Sequence, residues 1–305
     1  MSYRFLFLLM LLFSINSSAN ELLHVSFDVT RELFKEINAD FKKKHDLKVK
    51  IHQSHGGSGK QTSAIMHGLP ANIVSLALPY HMDILAEKEL VSSNWRDLYP
   101  NNSSPFTTRI VFLVHKNNPK GIYNWSDLIN PGIKVITGNP KTSGGALWNY
   151  AAAWVYAMKN HKVPQDYIHK LYNNAPILDS TARASAVTFI KRNIGDVLIT
   201  WESEAKYIIS KFDNNFDIIY PELTVKIDIP VAVILKKKNQ DYANQYIKFL
   251  FSSEGQAIAN KYFYHSYKHD GKMDKNIVDI EDYFKWSDFK SQHFGSDGIF
   301  EQIYK

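Results

Sequence analysis

The chain has 305 residues, no cysteine and a formal net charge of +6, with 45% hydrophobic and 22% charged residues. That length suits one large or two medium domains, and that balance excludes a disordered chain. The missing cysteines exclude disulfides and a lipid-bearing Cys, while scattered positive charge gives no mark of nucleic-acid binding and weakly favours anionic ligands.

The amino terminus differs from the rest. Arg4 is the only charge before Glu21, and Phe5 to Phe13 is an unbroken apolar run followed by Ser14-Ile15-Asn16-Ser17-Ser18-Ala19. A basic start, an apolar stretch and a small-x-small end describe a cleavable secretory signal, residues 1–19, with cleavage after Ala19. The competing reading is a membrane anchor, but the run is well short of the roughly 20 residues a spanning helix needs. No later segment is apolar enough to span. Export without an anchor places the mature chain in a periplasm.

Downstream, strands and helices alternate. Leu22 to Phe27 reads as a strand, followed by a helix through Phe34, Ile37 and Phe41 that Asp28 or Thr30 can cap. Val49 to Ile51 is a strand, Ser54 to Lys60 a glycine-rich turn, and Ala64-Ile65 lie on the next helix. Ile73 to Leu78 is a buried strand broken by Pro79, and Leu85 to Leu90 is helical. Ile110 to His115 and Lys134 to Thr137 are strands, with a short helix at Trp125 to Ile129 between them. Gly144 to Lys159 is a long helix, Ala182 to Lys191 another, and Asp196 to Thr200 a strand before the helix Glu202 to Lys211. This order predicts an α/β fold with largely parallel sheets.

Small polar residues and glycines recur where strands pass into helices: Asp28-Val29-Thr30, Gly56-Gly57-Ser58-Gly59, Ser143-Gly144-Gly145 and Ser180-Thr181-Ala182. Ligands of open α/β sheets gather at such carboxyl ends of strands. There, first-turn N–H groups and helix dipoles favour an anion.

Each segment has a competing reading. Around Gly59-Lys60 a nucleotide phosphate loop would need glycine at Ser54 and Ser or Thr at Gln61, so that motif fails twice. A serine-hydrolase elbow at Ser58 has Gly56 but meets Lys60 where a second glycine belongs. A plain tight turn also fits. Ser143 reads equally as an ordinary helix cap, and Trp201 as a core residue whose indole N–H is donor-only. Arg183 at a helix start is slightly unfavourable against the dipole and hints at an anion or carboxylate. His52-x-x-His55 and His265-x-x-x-His269 have metal-like spacing without an acidic partner set, so no metal and no cofactor are expected.

Taken together, the segments resemble the bacterial periplasmic sulfate-binding proteins, the sulfate/thiosulfate substrate-binding components of ABC transporters. The matching words run from Leu22 to about Lys261: Val25-Ser26-Phe27-Asp28, Thr30-Arg31-Glu32-Leu33, Gln53 to Gln61, Ile110 to Val114, Asn139-Pro140-Lys141, Ser143-Gly144-Gly145, Trp148-Asn149-Tyr150, Ile194 to Ile199, Trp201-Glu202 and Ser253-Glu254-Gly255-Gln256. Each is weak alone; their order and spacing are specific.

The resemblance implies an α/β, two-lobed periplasmic binding protein fold, each lobe a mostly parallel sheet flanked by helices, with the ligand cleft between lobes. Crossings near Pro105–Ile110 and Tyr220–Pro230 divide it into lobe 1, residues 20–106 plus 228–305, and lobe 2, residues 107–227, with the C-terminal tail free to pack on lobe 2. By similarity, Ser58, Gly144, Gly145 and Ala182 give backbone N–H groups to the anion, Ser143 its hydroxyl and Trp201 its indole N–H. Asp28, His55, Gly57 and Arg183 are expected to order the site. The implied partners are sulfate or thiosulfate and an inner-membrane ABC permease, with a monomeric, non-enzymatic protein and no nucleic acid. Val29 stands where the family usually has Pro, and Thr181 and Ala184 where it has Gly; Thr181 adds bulk beside Ala182. The runner-up among binding proteins is one for thiosulfate or another tetrahedral oxyanion, and a secreted serine hydrolase using Ser58 and a purely structural secreted protein are the readings from other classes.

Overall fold

The computed structural model describes residues 20–45, 49–212, 215–268 and 276–304; the expected signal segment 1–19 and His269 lie outside them. In chain order the first elements are β1 (Asn20–Phe27), α1 (Arg31–Lys44), β2 (Val49–Gly56), α2 (Ser58–Met66), β3 (Ile73–Ser75) and α3 (Pro79–Glu87). A short turn, α4 (Pro100–Ser103), precedes β4 (Phe106–His115), β5 (Val135–Gly138), α5 (Gly144–Asn160), α6 (Pro164–Asn173), β6 (Leu178–Asp179) and α7 (Ala182–Ile190). Then come β7 (Val197–Trp201), α8 (Glu202–Lys211), β8 (Phe216–Ile219), β9 (Thr224–Ile229), β10 (Val231–Val233), α9 (Gln240–Leu250) and α10 (Ser253–Lys261). The chain closes with β11 (His265–Ser266), β12 (Ile277–Val278), α11 (Trp286–Phe294) and α12 (Ile299–Ile303).

Among the described residues two sheets form. The first has the order β10-β3-β1-β2, in which β1 runs parallel to both β2 and β3. Leu22, Val25 and Phe27 of β1 are buried, and Leu33, Phe34, Ile37 and Phe41 of α1 form one apolar face, the spacing a helix needs to cover a sheet. The second sheet has the path β12-β9-β4-β7-β5-β6, with β8 and β11 also on β4. Here β5 is parallel to β6 and β7, whereas β4 is antiparallel to β7, β8 and β9.

The passage between the sheets is made by β4 and β9, paired from Phe106↔Ile229 to Arg109↔Lys226. Pro230 follows β9, and the chain then joins the first sheet as β10 with Val231 opposite Ser75. A proline has no N–H to give a ladder, so it suits a strand that changes sheets.

Local expectations differ in three places. The glycine-rich stretch 54–60 is hardly a turn: β2 continues to Gly56 and α2 starts at Ser58, leaving Gly57 alone between them. Pro79 does not break structure but opens α3, where its fixed φ and missing N–H are no handicap. Thr30 does not cap α1; its hydroxyl donates to Phe27 O at 2.7 Å, and a 3-10 turn at Asp28–Thr30 leads into the helix.

The C-terminal tail leaves the first sheet's surroundings. β12 pairs with β9, and the Tyr150 hydroxyl of α5 lies 2.8 Å from His293 Nδ1 of α11. Phe289 and Phe300 pack on the same tyrosine ring at 5.8 and 5.7 Å. The tail is thus a second layer over α5 and α6, held by aromatic area.

Candidate functional site

Three helices begin at one place. Ser58 opens α2, Gly144 opens α5 and Ala182 opens α7. All three line a cleft of about 440 Å³, counting space that opens to solvent, together with Asp28, Gly145 and Trp201. The first N–H groups of a helix have no acceptor within it, and the dipole adds positive potential there.

The caps decide which donors stay uncommitted. At α5, Ser143 Oγ accepts from Ala146 N–H at 3.2 Å and Ser143 O from Leu147 N–H at 2.9 Å. Gly144 and Gly145 keep their N–H groups, and the Ser143 hydroxyl still has its hydrogen to donate. At α7, Thr181 Oγ1 accepts from Ala184 N–H at 3.2 Å, and Asp28 Oδ2 accepts from Arg183 N–H at 3.1 Å. Among the described residues no acceptor meets the Ala182 N–H. Thr181, expected only as bulk, is the helix cap. At α2, the Ser58 hydroxyl accepts from Ala77 N–H at 3.0 Å and shares a hydrogen bond with His81 Nδ1 at 3.1 Å. That leaves the Ser58 N–H as its group at the cleft.

The glycines bring the helix starts into contact. A β-carbon on Gly144 would meet those of Ser58 and Ala77 at 2.9 Å. One on Gly145 would lie 3.2 Å from the Ala182 β-carbon and 3.8 Å from Trp201 Cε2. One on Gly57 would meet Thr142 O at 2.7 Å. Trp148 Nε1–H adds a bond to Ala77 O at 2.6 Å, so loops of both sheets are in contact around the cleft.

Trp201 ends β7 with 4% of its surface exposed, its ring 5.4 Å from that of Phe27. Its indole N–H is buried and has no partner among the described residues. A buried donor left unpaired costs about 1–3 kcal/mol.

The family described as bacterial extracellular solute-binding protein matches residues 25–265. This chain belongs to it. The sulfate-binding protein of Salmonella typhimurium is 42% identical over 93% of each chain. The thiosulfate-binding protein of Pseudomonas aeruginosa is 37% identical over 94% of this chain and 93% of its own. Among solved structures, the sulfate-binding protein SubI from Mycobacterium tuberculosis H37Rv superposes with a TM-score of 0.80 at 25% identity, covering 90% of this chain and 99% of that one. The periplasmic binding protein AfuA from Actinobacillus pleuropneumoniae shares the fold at 18% identity, with a TM-score of 0.67 and coverage of 93% and 96%. The solute-binding protein described here therefore has their two-lobed architecture. Among its described residues no helix is long and apolar enough to cross a membrane.

The expected ordering residues of this solute-binding protein sit around the cleft rather than in it, apart from Asp28. Arg183 Nη2 bonds Glu32 at 3.0 Å and its Nε lies 3.3 Å from Glu204. With Asp28 on its backbone N–H, Arg183 ties α7 to the loop after β1. His55 Nδ1 bonds Ser26 Oγ at 2.7 Å, and Thr30 Oγ1 lies 3.2 Å from the same oxygen. His55 thus braces the segment carrying Asp28, and burial, aided by Arg31, pushes its ring down to about 4. His52 instead faces Glu21 at 3.8 Å, so the two histidines of β2 do not converge. Val29 is buried in the cleft wall.

Asn149, Ser185 and Glu204 are among the wall residues not expected from the sequence. Each stands three or four positions after a donor (Gly145, Ala182, Trp201), so helical periodicity could have placed it beneath. Asn149 Nδ2 donates to Thr137 Oγ1 at 3.1 Å and Ile199 O at 2.9 Å, while its Oδ1 is buried without a partner among the described residues. Burial pushes the Glu204 carboxyl up to about 7 against the pull of Arg183, with Asp28 and Glu32 adding to the rise.

Proposed function

We propose that this protein captures sulfate in the periplasm for an ABC importer, with thiosulfate as the alternative guest. The observation that carries the proposal is the buried, partnerless indole N–H of Trp201, in a cleft where three helices begin. The donor set is the N–H groups of Ser58, Gly144, Gly145 and Ala182, the Ser143 hydroxyl and the Trp201 indole. Among the described residues no Lys or Arg lines that cleft.

Such a set suits an anion with no proton to give. Phosphate near neutral pH usually carries a proton that needs an acceptor. None of these N–H donors can accept it, and a proton that the wall acceptors Asn149 Oδ1 and Glu204 do not reach costs roughly 1–3 kcal/mol, and more for a charged group. Charge-assisted bonds from the donors strengthen the preferred complex. The full dianion also sits well against Glu204 only when that carboxyl holds its proton.

The 1–19 segment would direct export and be removed after Ala19. Lobe 1, 20–106 plus 228–305, and lobe 2, 107–227, would close by bending at β4 and β9, with the 277–304 tail riding on lobe 2. Closure then presents both lobes to the inner-membrane permease as a monomer.

A serine hydrolase is disfavoured by the surroundings of Ser58. The residue is 1% exposed and its hydroxyl is held by Ala77 N–H. Burial pushes the His81 ring down to about 3, too weak a base for proton abstraction near neutrality. No carboxylate orients that ring among the described residues.

Calorimetry with sulfate, thiosulfate, phosphate and molybdate tests the proposal. Tight sulfate or thiosulfate binding with phosphate weaker by two decades or more is the expected result. Equal affinity for phosphate would rule out the donor-based account, and no binding of any oxyanion would end the transport reading.

A further inference from the structure

Trp148 stands one turn beyond Gly144 on α5. It is buried, and its indole N–H donates to Ala77 O at 2.6 Å. Ala77 belongs with the first sheet: it follows β3 and precedes α3. The bond therefore joins the two halves of the molecule across 71 positions of chain. Neither residue is among those lining the cleft, so the bond lies beside the guest's place and not in it.

Each end is held by its own half. Leu76 N–H donates to Pro230 O at 3.2 Å and Ala77 N–H to the Ser58 hydroxyl at 3.0 Å, which fixes the Ala77 carbonyl. On the other side, Asn149 Nδ2 ties α5 to Ile199 O of β7 at 2.9 Å and to Thr137 Oγ1 of β5 at 3.1 Å. The Trp286 ring of the tail packs edge-on against Trp148 at 4.9 Å and backs the indole. A contact between two parts that are each rigid is either made or parted. On the α7 side of the cleft the halves are joined differently. There Arg183 meets Asp28 at 3.1 Å and Glu32 at 3.0 Å, through charged groups of which Asp28 lines the cleft itself.

We propose that Trp148 is the closure latch of this protein: its bond to Ala77 forms only when the halves meet, and it slows the escape of the anion without touching it. This rests on the oxyanion reading above and on closure by bending at β4 and β9. When the halves part, water takes both the indole N–H and the Ala77 carbonyl, so the open form carries no unpaired buried group. The bond then favours the closed form by the net worth of one neutral hydrogen bond, about a two- to ten-fold shift. A guest that selects the closed form gains the same factor. Association starts from open halves and is indifferent to the latch, whereas dissociation must undo it.

The test is hydrogen exchange of the Trp148 indole N–H, assigned through bonds by NMR in the unaltered protein. Exchange should be at least about five-fold slower with saturating sulfate than without it. Equal exchange in the two states overturns the inference: the bond would be a permanent part of the fold if slow, or never made if fast. Stopped-flow mixing with sulfate gives the second readout. Trp148→Phe keeps a ring against Trp286 and removes the N–H; it should raise koff about two- to ten-fold and leave kon unchanged. The ratio of sulfate to thiosulfate affinity should stay the same, since the latch touches neither. An unchanged koff, or a loss confined to kon, also overturns the inference. Circular dichroism checks that the variant folds; if it does not, indole exchange in the unaltered protein decides alone. If calorimetry finds no oxyanion bound, the function itself falls and the latch with it. Sulfate bound with indole exchange unchanged overturns the latch alone.

Discussion

Gly144 and Ser58 stand so close that a single methyl on the glycine would come within 2.9 Å of the serine β-carbon. The two residues belong to helices on different sheets, so this contact measures how tightly the halves meet over the cleft. On the proposed donor set, that closeness would let N–H groups 86 positions apart in sequence act on one guest.

Gly144→Ala should therefore block full closure. Sulfate affinity should fall at least about ten-fold, a loss of roughly 1.4 kcal/mol or more. The melting temperature without ligand should change little, because a more open form has room for the methyl. Calorimetry and thermal unfolding of the same sample check both halves of the expectation.

Trp201→Phe keeps most of the buried ring and removes its N–H. A charge-assisted hydrogen bond is lost, so sulfate should bind about ten- to a hundred-fold more weakly. The unliganded protein should be no less stable, since a partnerless buried donor has been taken away. Unchanged sulfate affinity would show that the indole N–H is not aimed at the guest.

Asp28→Ala removes the acceptor for Arg183 N–H and a partner of the Arg183 charge. Its effect should come through closure rather than contact: sulfate and thiosulfate should weaken together, about three- to ten-fold, with their ratio preserved. A change in that ratio, read by calorimetry, would mean that Asp28 helps to discriminate between guests.

Burial pushes His24 and His81 down to about 3 and His293 down to about 4 from an ordinary 6.5. A depressed histidine means that the unfolded chain takes up protons below pH 6.5 while the folded one does not. Stability is then full above about pH 6.5 and falls as the pH drops toward 4. Thermal unfolding between pH 7 and 4 should show this loss. His293→Asn keeps an acceptor for the Tyr150 hydroxyl but cannot titrate; it should lower the melting temperature at pH 7 and reduce the further drop on acidification.

The helix starts around the candidate cleft were legible along the chain. Ser143-Gly144-Gly145 and Thr181-Ala182 carry the residue types that start helices, and such starts follow from cap chemistry within a few residues. Asn149 and Glu204 were missed because nothing local marks a helical residue one turn in as part of a wall. The tail was also opaque: Trp286, Phe289 and His293 read as an apolar face, but which surface they cover depends on Trp148 and Tyr150, far away in the chain.

What the sequence determined by itself is the alternation of strands and helices, the positions of the helix starts and the kinship that their order reveals, because caps and periodicity act over a single turn. Only the tertiary structure decided which donors remain free. Arg183 N–H is lost to Asp28 and the Ser58 hydroxyl to Ala77 and His81, while the Trp201 indole finds no partner among the described residues. A hydrogen bond is made or missed according to where the partner stands in space, and that distance is set by how two sheets pack, not by the residues beside it.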